Sequence, residues 1–246
     1  METMSRRVDI PRVRAAIDHV ARELRSDPDG AVHVSVLEGL LAELAALEAR
    51  AREHAGIEER LRKSHAALMQ LARSESLGRG ALEEALREMT ETATEILDVA
   101  RTSVWLYNAD QTAIQCLELF LRKERAHESG VELFRADYPS YFDALAEERS
   151  IAAHDAHTDP RTACFSESYL TPLGINAMLD APIRVGGRMI GVVCNEHIGP
   201  ARTWTAEEEQ FAASIADFVA LAIETGRRRE TEEQLRAMVE ALESER

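Results

Sequence analysis

The chain has 246 residues, of which 45% are hydrophobic and only 5% aromatic, and its formal net charge at pH 7 is -15. This length allows one sizeable domain with extended helices, or two small domains. The acidic charge disfavours a nucleic-acid partner, because it repels the phosphate backbone. No run reaches the roughly 20 apolar residues that cross a bilayer, and residues 1–10 lack the apolar core of a signal peptide.

Cysteine usage indicates the compartment. Cys116, Cys164 and Cys194 are widely spaced and odd in number, which is unlike a disulfide framework and fits a reducing environment. We therefore expect a cytoplasmic protein with no membrane contact in this chain. The charge is uneven, because residues 1–75 hold 12 basic and 13 acidic side chains while residues 76–246 hold 17 and 31.

Two helical patterns open the chain. Residues 10–25 are predicted to form a short helix, and residues 26–30 a turn. Residues 34–74 follow as a long helical pattern, which favours one continuous helix in a dimeric coiled coil. Two antiparallel helices folded at residues 54–56 are the alternative. The seven-residue ladder behind this interpretation consists of Leu40, Leu47, His54, Leu61 and Leu68.

Helices and strands then alternate. We predict a helix over residues 81–100, strands over 102–108 and 113–122, a polar connection over 123–130 and a short apolar segment over 131–135. A helix over 140–148, a strand over 150–156, a loop over 157–162 and a polar helical piece over 165–170 follow.

A hairpin and a long amphipathic helix complete the pattern. Gly186-Gly187 separates the strand-like runs 177–185 and 189–195, which predicts a two-residue turn with positive φ at both positions. Thr205 precedes three glutamates and is predicted to cap a helix. The apolar face of that helix comprises Phe211, Ile215, Phe218 and Ala222. The apolar pattern lapses over residues 226–234 and resumes at Leu235, which predicts an outgoing helix.

This region resembles the C-terminal half of a GAF domain. The matching features are the strand GI-x-A-M-L-x-A-P-I at residues 174–183, the Gly-Gly turn, the strand G-V-V-C at 191–194 and the helix start W-T-x-E-E at 204–208. The resemblance extends back to about residue 82. It implies an α+β fold, with an antiparallel sheet packed with helices. We expect a GAF-like domain over residues 76–225, between an N-terminal helical coiled-coil region (1–75) and a signalling helix (226–246).

The resemblance implies a sensory module of bacterial signal transduction that binds a small molecule or mediates dimerisation. We expect a homodimer whose flanking helices pass the change to an output domain or to a partner such as a histidine kinase of two-component regulation. The chain shows no nucleotide-binding glycine boxes and no cyclase motif, so we expect no enzyme. A truncated sensor and a stand-alone regulator both fit. A pure dimerisation scaffold and a redox enzyme using Cys194 or Cys164 are the alternatives.

The most polar cluster of this domain lies at residues 154–162. The resemblance places it over the mouth of a pocket, where Arg161 would hold an anionic ligand. In the alternative interpretation, these polar residues form only turns and ion pairs. The expected ligand-binding residues are His154, Asp155, Thr158, Arg161, Tyr169, Met178 and Asn195.

The cofactor is left unknown by the sequence. No Cys-x-x-Cys or His-Glu-x-x-His spacing is present, so we expect no metal requirement. Phytochrome-like relatives carry a Cys-His pair nine residues before the strand glycine; here Cys164 is one place off and Phe165 follows it, so bilin is not expected. The Gly-Val-Cys-Gly run of methionine-sulfoxide reductases is replaced by residues 191–194, Gly-Val-Val-Cys. Haem held by one histidine, or another small ligand, stays open.

Overall fold

The computed structural model describes residues 10–24 and 31–244. It divides into two compact units, residues 1–62 and 63–246, which are described separately. The turn predicted at residues 26–30 lies outside the described residues.

The first unit contains helix α1, Ile10–Leu24, and most of helix α2, Ala31–Leu71. Helix α2 passes through Gly56 without a break, which confirms the continuous helix and excludes a fold-back at residues 54–56. Three leucines of the predicted ladder are exposed by about half, Leu40 by 45%, Leu47 by 55% and Leu61 by 47%. Their packing against a second chain stays a prediction.

The second unit is an antiparallel sheet with helices on both sides. Its helices are α3 (Glu75–Arg79), α4 (Leu82–Leu97), α5 (Pro139–Glu147), α6 (Thr171–Leu173) and α7 (Ala206–Ser244). Its strands are β1 (Arg101–Tyr107), β2 (Ala113–Leu121), β3 (Ala126–Glu128), β4 (Glu132–Phe134), β5 (Ile151–Ala153), β6 (Ile175–Val185) and β7 (Arg188–Ile198). This is the α+β arrangement that the sequence predicts.

The strand order is β3-β2-β1-β7-β6-β5, and β4 pairs with the start of β2. The prediction of a polar connection over residues 123–130 is wrong in part, because β3 lies inside it. His127 pairs there with Phe120 of β2, and the two rings lie 5.0 Å apart. A strand of three residues at a sheet edge carries too short an alternation to be seen in the sequence.

The hairpin between β6 and β7 confirms the predicted turn. Gly186 and Gly187 have φ values of 56° and 78°, the left-handed region that a primed two-residue turn requires and that glycine adopts without strain. Both strands are longer than the predicted runs, since β6 begins at Ile175 and β7 extends to Ile198.

Alternation along the strands gives the sheet two buried faces. The face packed against α4 and α7, here called the helix face, is lined by residues such as Val104, Leu179 and Val193. The opposite face, here called the lid face, carries Trp105, Met178 and Cys194. It is covered by α5 and by residues 154–174, here called the lid.

Helix α7 begins after Thr205, the predicted N-cap, and the structure adds a reciprocal bond that makes a capping box. Thr205 Oγ1 accepts a hydrogen bond from the Glu208 backbone N–H, and the Glu208 carboxylate accepts one from the Thr205 N–H at 2.9 Å. The helix then runs unbroken for 39 residues, so the predicted outgoing segment is its continuation. Exposed apolar residues along its end are Leu235, Met238, Val239 and Leu242. None of the described helices combines the length and apolarity of a membrane span.

Candidate functional site

The space between the lid face and the lid, here called the layer, is filled by aromatic side chains. Tyr141 and Phe142 of α5 are buried, as are Phe165 of the lid and Trp105 of β1. The Tyr141 and Phe165 rings meet edge to face at 4.8 Å, and Tyr138 lies 4.3 Å from Phe165. Such pairs are favourable arrangements of aromatic quadrupoles, so the lid is held down by ring packing as well as by burial.

A buried ion pair lies in this layer. Arg101 of β1 and Glu196 of β7 are cross-strand neighbours, and Arg101 Nε lies 3.0 Å from Glu196 Oε2. Tyr169 of the lid donates its hydroxyl to Glu196 Oε1 at 2.8 Å and accepts a hydrogen bond from Arg101 Nη2 at 3.2 Å. Burial raises the pKa of Glu196, and the Arg101 charge opposes that rise. These three residues therefore connect the lid directly to the centre of the sheet.

A second buried carboxyl lies beside the first. Asp180 of β6 is fully buried and pairs across the sheet with Cys194 of β7. Tyr141 donates its hydroxyl to Asp180 Oδ2 at 2.7 Å, but Asp180 Oδ1 has no hydrogen-bond partner among the described residues. Burial, reinforced by the Glu196 charge, raises the pKa of Asp180 to about 7, and the Tyr141 hydroxyl and, more weakly, the Cys194 thiol and the Asn195 backbone N–H oppose that rise. A buried acceptor without a donor is costly, and it marks this point of the layer as one that a donor would stabilise.

The lid contains an irregular helical turn. Residues 163–165 form a 3₁₀ turn, and Ser166–Leu170 follows as a π-helical turn that carries Tyr169. The sequence predicts a polar helical piece at 165–170, and the structure adds that its winding is not α-helical. π-turns are frequent at functional sites because they re-aim side chains at little cost to the rest of the helix.

The two thiols of the layer are not poised as nucleophiles. Burial raises the pKa of Cys194 well above its usual value, and burial together with the Glu118 charge raises that of Cys116 to about 12. Both are therefore neutral thiols, whereas the thiolate is the reactive form. Cys164 is exposed, and its sulfur lies 3.8 Å from the Arg161 carbonyl oxygen.

The polar residues expected at the mouth of a pocket are occupied by the protein itself. His154 Nδ1 accepts a hydrogen bond from the Trp204 backbone N–H at 3.1 Å, which ties the lid to the segment before α7. Asp155 accepts from the His157 N–H at 3.1 Å and so forms a turn. Thr158 is exposed. These contacts match the interpretation of residues 154–162 as turns.

Arg161 is also held by contacts within the protein. Its guanidinium donates to the Asp159 carboxylate, to Glu148 Oε2 at 2.6 Å and to the Ala152 carbonyl at 3.3 Å. Its hydrogen bonds to Asp159 hold the pKa of that carboxyl below its usual value. The expectation of Arg161 as an anion contact therefore competes with a structural role, in which it fixes the lid to α5 and β5.

The remaining expected residues lie on different faces of the sheet. Tyr169 and Met178 lie in the layer under the lid. Asn195 lies on the helix face, where it donates to the Leu179 carbonyl at 2.8 Å and accepts from the Thr102 hydroxyl at 3.2 Å. The structure thus does not bring Asn195 together with the other expected residues.

Sequence reasoning missed Arg101, Tyr141, Asp180 and Glu196. One signal was available, since Asp180 interrupts an otherwise apolar strand, residues 177–183. An aspartate is almost never fully buried in such a strand unless its carboxyl is paired with another group.

Neither metal nor tetrapyrrole ligands are gathered in the layer. Among the described residues, no group of three His, Cys, Asp or Glu side chains is arranged to hold a metal ion. No histidine whose side chain is described is fully buried; His157 of the lid is half-buried, and its Nδ1 lies 2.7 Å from Ser166 Oγ. Cys164, the cysteine closest to the bilin pattern, is exposed rather than in the layer.

Open cavities lie elsewhere on the domain. A cleft of about 480 Å³ lies between α4 and the β2–β3 edge, where the His127 ring sits between the Glu118 and Glu91 carboxylates. A groove of about 810 Å³ lies between residues 66–75 and α4, and it is lined by Glu75, Glu88, Glu91 and Glu95.

Solved structures with the same fold include the GAF domain of an Acinetobacter phosphoenolpyruvate-protein phosphotransferase, with TM-score 0.53 and 14% identity over 70% of this chain and 98% of that one. The blue-light absorbing form of the Thermosynechococcus elongatus PixJ GAF domain matches with TM-score 0.52 and 15% identity over 68% and 98%. The chromophore-binding domain of an unusual R. palustris bacteriophytochrome matches with TM-score 0.55 and 18% identity over 71% and 63%.

At these identities the likeness shows the fold alone. No curated protein matches the chain. The GAF domain family model matches residues 81–223, which is more than half of the chain and spans α4 to the buried part of α7. Together with the antiparallel sheet and its lid, this match shows that the chain belongs to the GAF domain family.

Proposed function

We propose that this protein is a cytoplasmic sensory module that binds a small molecule between the lid face and the lid. The observation that carries the proposal is the set of buried polar atoms that lack a hydrogen-bond partner among the described residues, namely Arg101 Nε, Asp180 Oδ1 and Glu196 Oε2. Arg101 Nε and Glu196 Oε2 form an ion pair with each other, so Asp180 Oδ1 is the one of the three atoms that has neither a hydrogen bond nor an ion pair among the described residues. All three lie on one face of the sheet, beneath the element that is irregular in winding.

Coupling to the flanking helices follows from the alternation of β6. Asp180 faces the lid while its neighbours Leu179 and Ala181 pack with α4 and α7 on the helix face. A ligand that shifts β6 therefore shifts the surface on which α7 rests. We propose that this movement reaches an output domain or a partner, such as a histidine kinase, through the helices.

The homodimer is part of the same proposal. Leu40, Leu47 and Leu61 leave an apolar stripe on α2 that a monomer would expose, and helices with such a seam associate through it. The net charge of -15 supports a protein partner rather than nucleic acid.

A second candidate, a pure dimerisation scaffold, is favoured by a specific observation. The rings of Tyr141, Phe142 and Phe165 fill the layer, so a ligand must displace part of the lid to enter. A redox enzyme using Cys194 is disfavoured, because burial holds that cysteine as a neutral thiol, so Cys164, which is exposed, is the remaining candidate for this alternative.

Native mass spectrometry of the full chain, purified without denaturation, tests the choice between sensor and scaffold. The sensor predicts either a co-purified mass that denaturation removes, or a compound in a metabolite library that raises the melting temperature. A bare chain that no compound stabilises supports the scaffold and overturns the sensor.

Sedimentation of Leu47→Glu tests the dimer. A charge in the seam should shift the chain towards monomer at micromolar concentration, whereas Ala49→Glu, on the opposite side of the same helix, should leave the mass unchanged. A monomeric wild-type chain would overturn the dimer proposal.

A further inference from the structure

We propose that the layer under the lid takes a small organic cation, with an ammonium or amidinium group against Asp180 and an apolar or aromatic body against the rings of the lid face. This inference rests on the proposed function, because it names the ligand class of the same layer.

The charges in the layer are unequal. The carboxyls of Asp180 and Glu196 face a single guanidinium, that of Arg101. Arg101 is committed to Glu196 at 3.0 Å and to Tyr169 at 3.2 Å, and Glu196 receives a second donor from the Tyr169 hydroxyl. Within the described parts of the chain, no cation remains for Asp180. One positive charge from a ligand would balance the layer.

The geometry around Asp180 leaves a place for that charge. The groups that face the Asp180 carboxyl are the Tyr141 hydroxyl from α5 and, from β7, the Cys194 thiol, the Glu196 carboxyl and the Asn195 backbone N–H, and none of them is a cation. Strand β5, which pairs Ile151 with Asp180, contributes no titratable side chain. Oδ2 accepts from the Tyr141 hydroxyl, while Oδ1 accepts no hydrogen bond from the described residues and is shut off from solvent. An ionised carboxyl can accept about four hydrogen bonds, so an N–H donor cation satisfies what the protein leaves unmet.

The aromatic lining selects the same class of ligand. Arg101 already lies over the Tyr169 ring at 5.6 Å, which shows that a ring face of this layer accommodates a cation. The Tyr141 and Phe165 rings, 4.8 Å apart, offer apolar surface close to Asp180. An anion would meet two buried carboxyls and is disfavoured, in contrast to the anion first expected at Arg161.

Entry of the ligand requires the lid to move. The Phe165 and Tyr169 rings occupy the layer, and the Tyr169 hydroxyl bonds are the polar contacts from the π-turn to the sheet. When the π-turn swings outward, the Tyr169 hydroxyl no longer donates its hydrogen bond to Glu196. An N–H group of the bound cation supplies a donor to the carboxyls in its place. The buried Trp105, in the same layer, reports this movement by its fluorescence.

The test uses three probes with a common phenethyl body, phenethylamine, 2-phenylethanol and 3-phenylpropionate, titrated into the full chain by calorimetry. Trp105 fluorescence is followed in a Trp204→Phe background. We expect phenethylamine to bind at least about tenfold more tightly than the other two, since only the ammonium group brings a positive charge to the Asp180 carboxylate as well as a donor. Asp180→Asn should abolish that preference, whereas Glu167→Gln, which removes an exposed carboxylate from the lid, should keep it.

A pH series separates a contact with Asp180 from general electrostatic attraction. A carboxyl with pKa about 7 is about one-tenth ionised at pH 6 and about nine-tenths at pH 8, so phenethylamine should bind about tenfold more tightly at pH 8. Asp180→Asn should remove this dependence.

Each outcome decides the inference. Tighter binding of the alcohol or the carboxylate, an unchanged preference in Asp180→Asn, or no binding of the amine would overturn the cation while leaving the sensor intact if another compound stabilises the chain. If no compound of any class binds, the proposed function fails as well.

Discussion

The residues of the helix face and the lid face alternate along the same strands, so the two faces share one backbone and one strand register. Their side chains nevertheless differ in chemistry. The helix face is aliphatic, and its buried polar residue Asn195 has both amide atoms hydrogen-bonded. The lid face is covered by aromatic rings and holds two buried carboxyls, and Oδ1 of Asp180 accepts no hydrogen bond from the described residues. A fully satisfied face stabilises the fold, while an incompletely satisfied one stores free energy that a ligand can recover.

The largest effect should come from a cavity on the helix face. Leu179 and Leu170 are both fully buried, the first under α7 and the second in the lid. We expect Leu179→Ala to lower the free energy of unfolding by about 3–5 kcal/mol and Leu170→Ala by about 2 kcal/mol, because the irregular lid can collapse into the space. Urea unfolding measures both, and equal losses would contradict the distinction between the faces.

Arg161→Ala should have the next largest effect. It leaves Asp159 and Glu148 without their guanidinium, so we expect a loss of about 1–3 kcal/mol in unfolding free energy and faster amide exchange in the lid. Arg135→Ala removes an exposed ion pair to Asp143 and should cost less than about 1 kcal/mol. A fold of unchanged stability that loses ligand affinity would instead return Arg161 to the role of an anion contact.

Asp180→Asn should make the chain more stable above neutral pH. The folded pKa of about 7 lies above the unfolded value of 3.8, so the contribution of Asp180 to stability is present below about pH 4 and is lost as pH rises through 7. We expect Asp180→Asn to exceed the wild type by about 1–3 kcal/mol at pH 8, because it removes the cost of a buried charge but keeps the Tyr141 bond.

The gain should vanish as the pH falls to about 4. Thermal unfolding of both proteins across this range measures it. A constant difference between them would mean that Asp180 is not the titrating group.

The smallest effect should come from the cap of α7. Thr205→Ala removes the hydroxyl that accepts from Glu208, and we expect a loss of about 0.5–1 kcal/mol in unfolding free energy. Because the cap belongs to the helix side, the affinity for any ligand under the lid should not change. If calorimetry showed that Thr205→Ala binds the ligand with lower affinity than the wild type, the two faces would be coupled more strongly than their separate packing indicates.

The fold was more predictable than the site for a physical reason. The Gly186-Gly187 turn and the Thr205 cap depend on local backbone preferences, which the sequence states directly. The polar layer depends on which residues meet from distant parts of the chain, such as Asp180 of β6 with Tyr141 of α5 and Arg101 of β1 with Glu196 of β7. Polar residues next to a loop, such as His154 and Arg161, attract attention in a sequence, but the sequence does not show that their side chains bond to other parts of the protein, as they do here to Trp204 and Glu148.

Because α7 is one continuous helix, a tilt of its buried part would move its exposed end by a larger distance. Its buried part rests on the sheet, with Phe211 and Ile215 in the core, while its far end carries exposed Leu235 and Leu242. At about 1.5 Å per residue, the arm from Gly226 to Leu242 is about 24 Å long. A tilt of about 5° at the sheet would displace its tip by about 2 Å, a shift on the scale at which packed helices change partners. If a ligand under the lid moves the sheet as proposed, a small rearrangement around one carboxyl would thereby become a larger displacement at the far end of the helix.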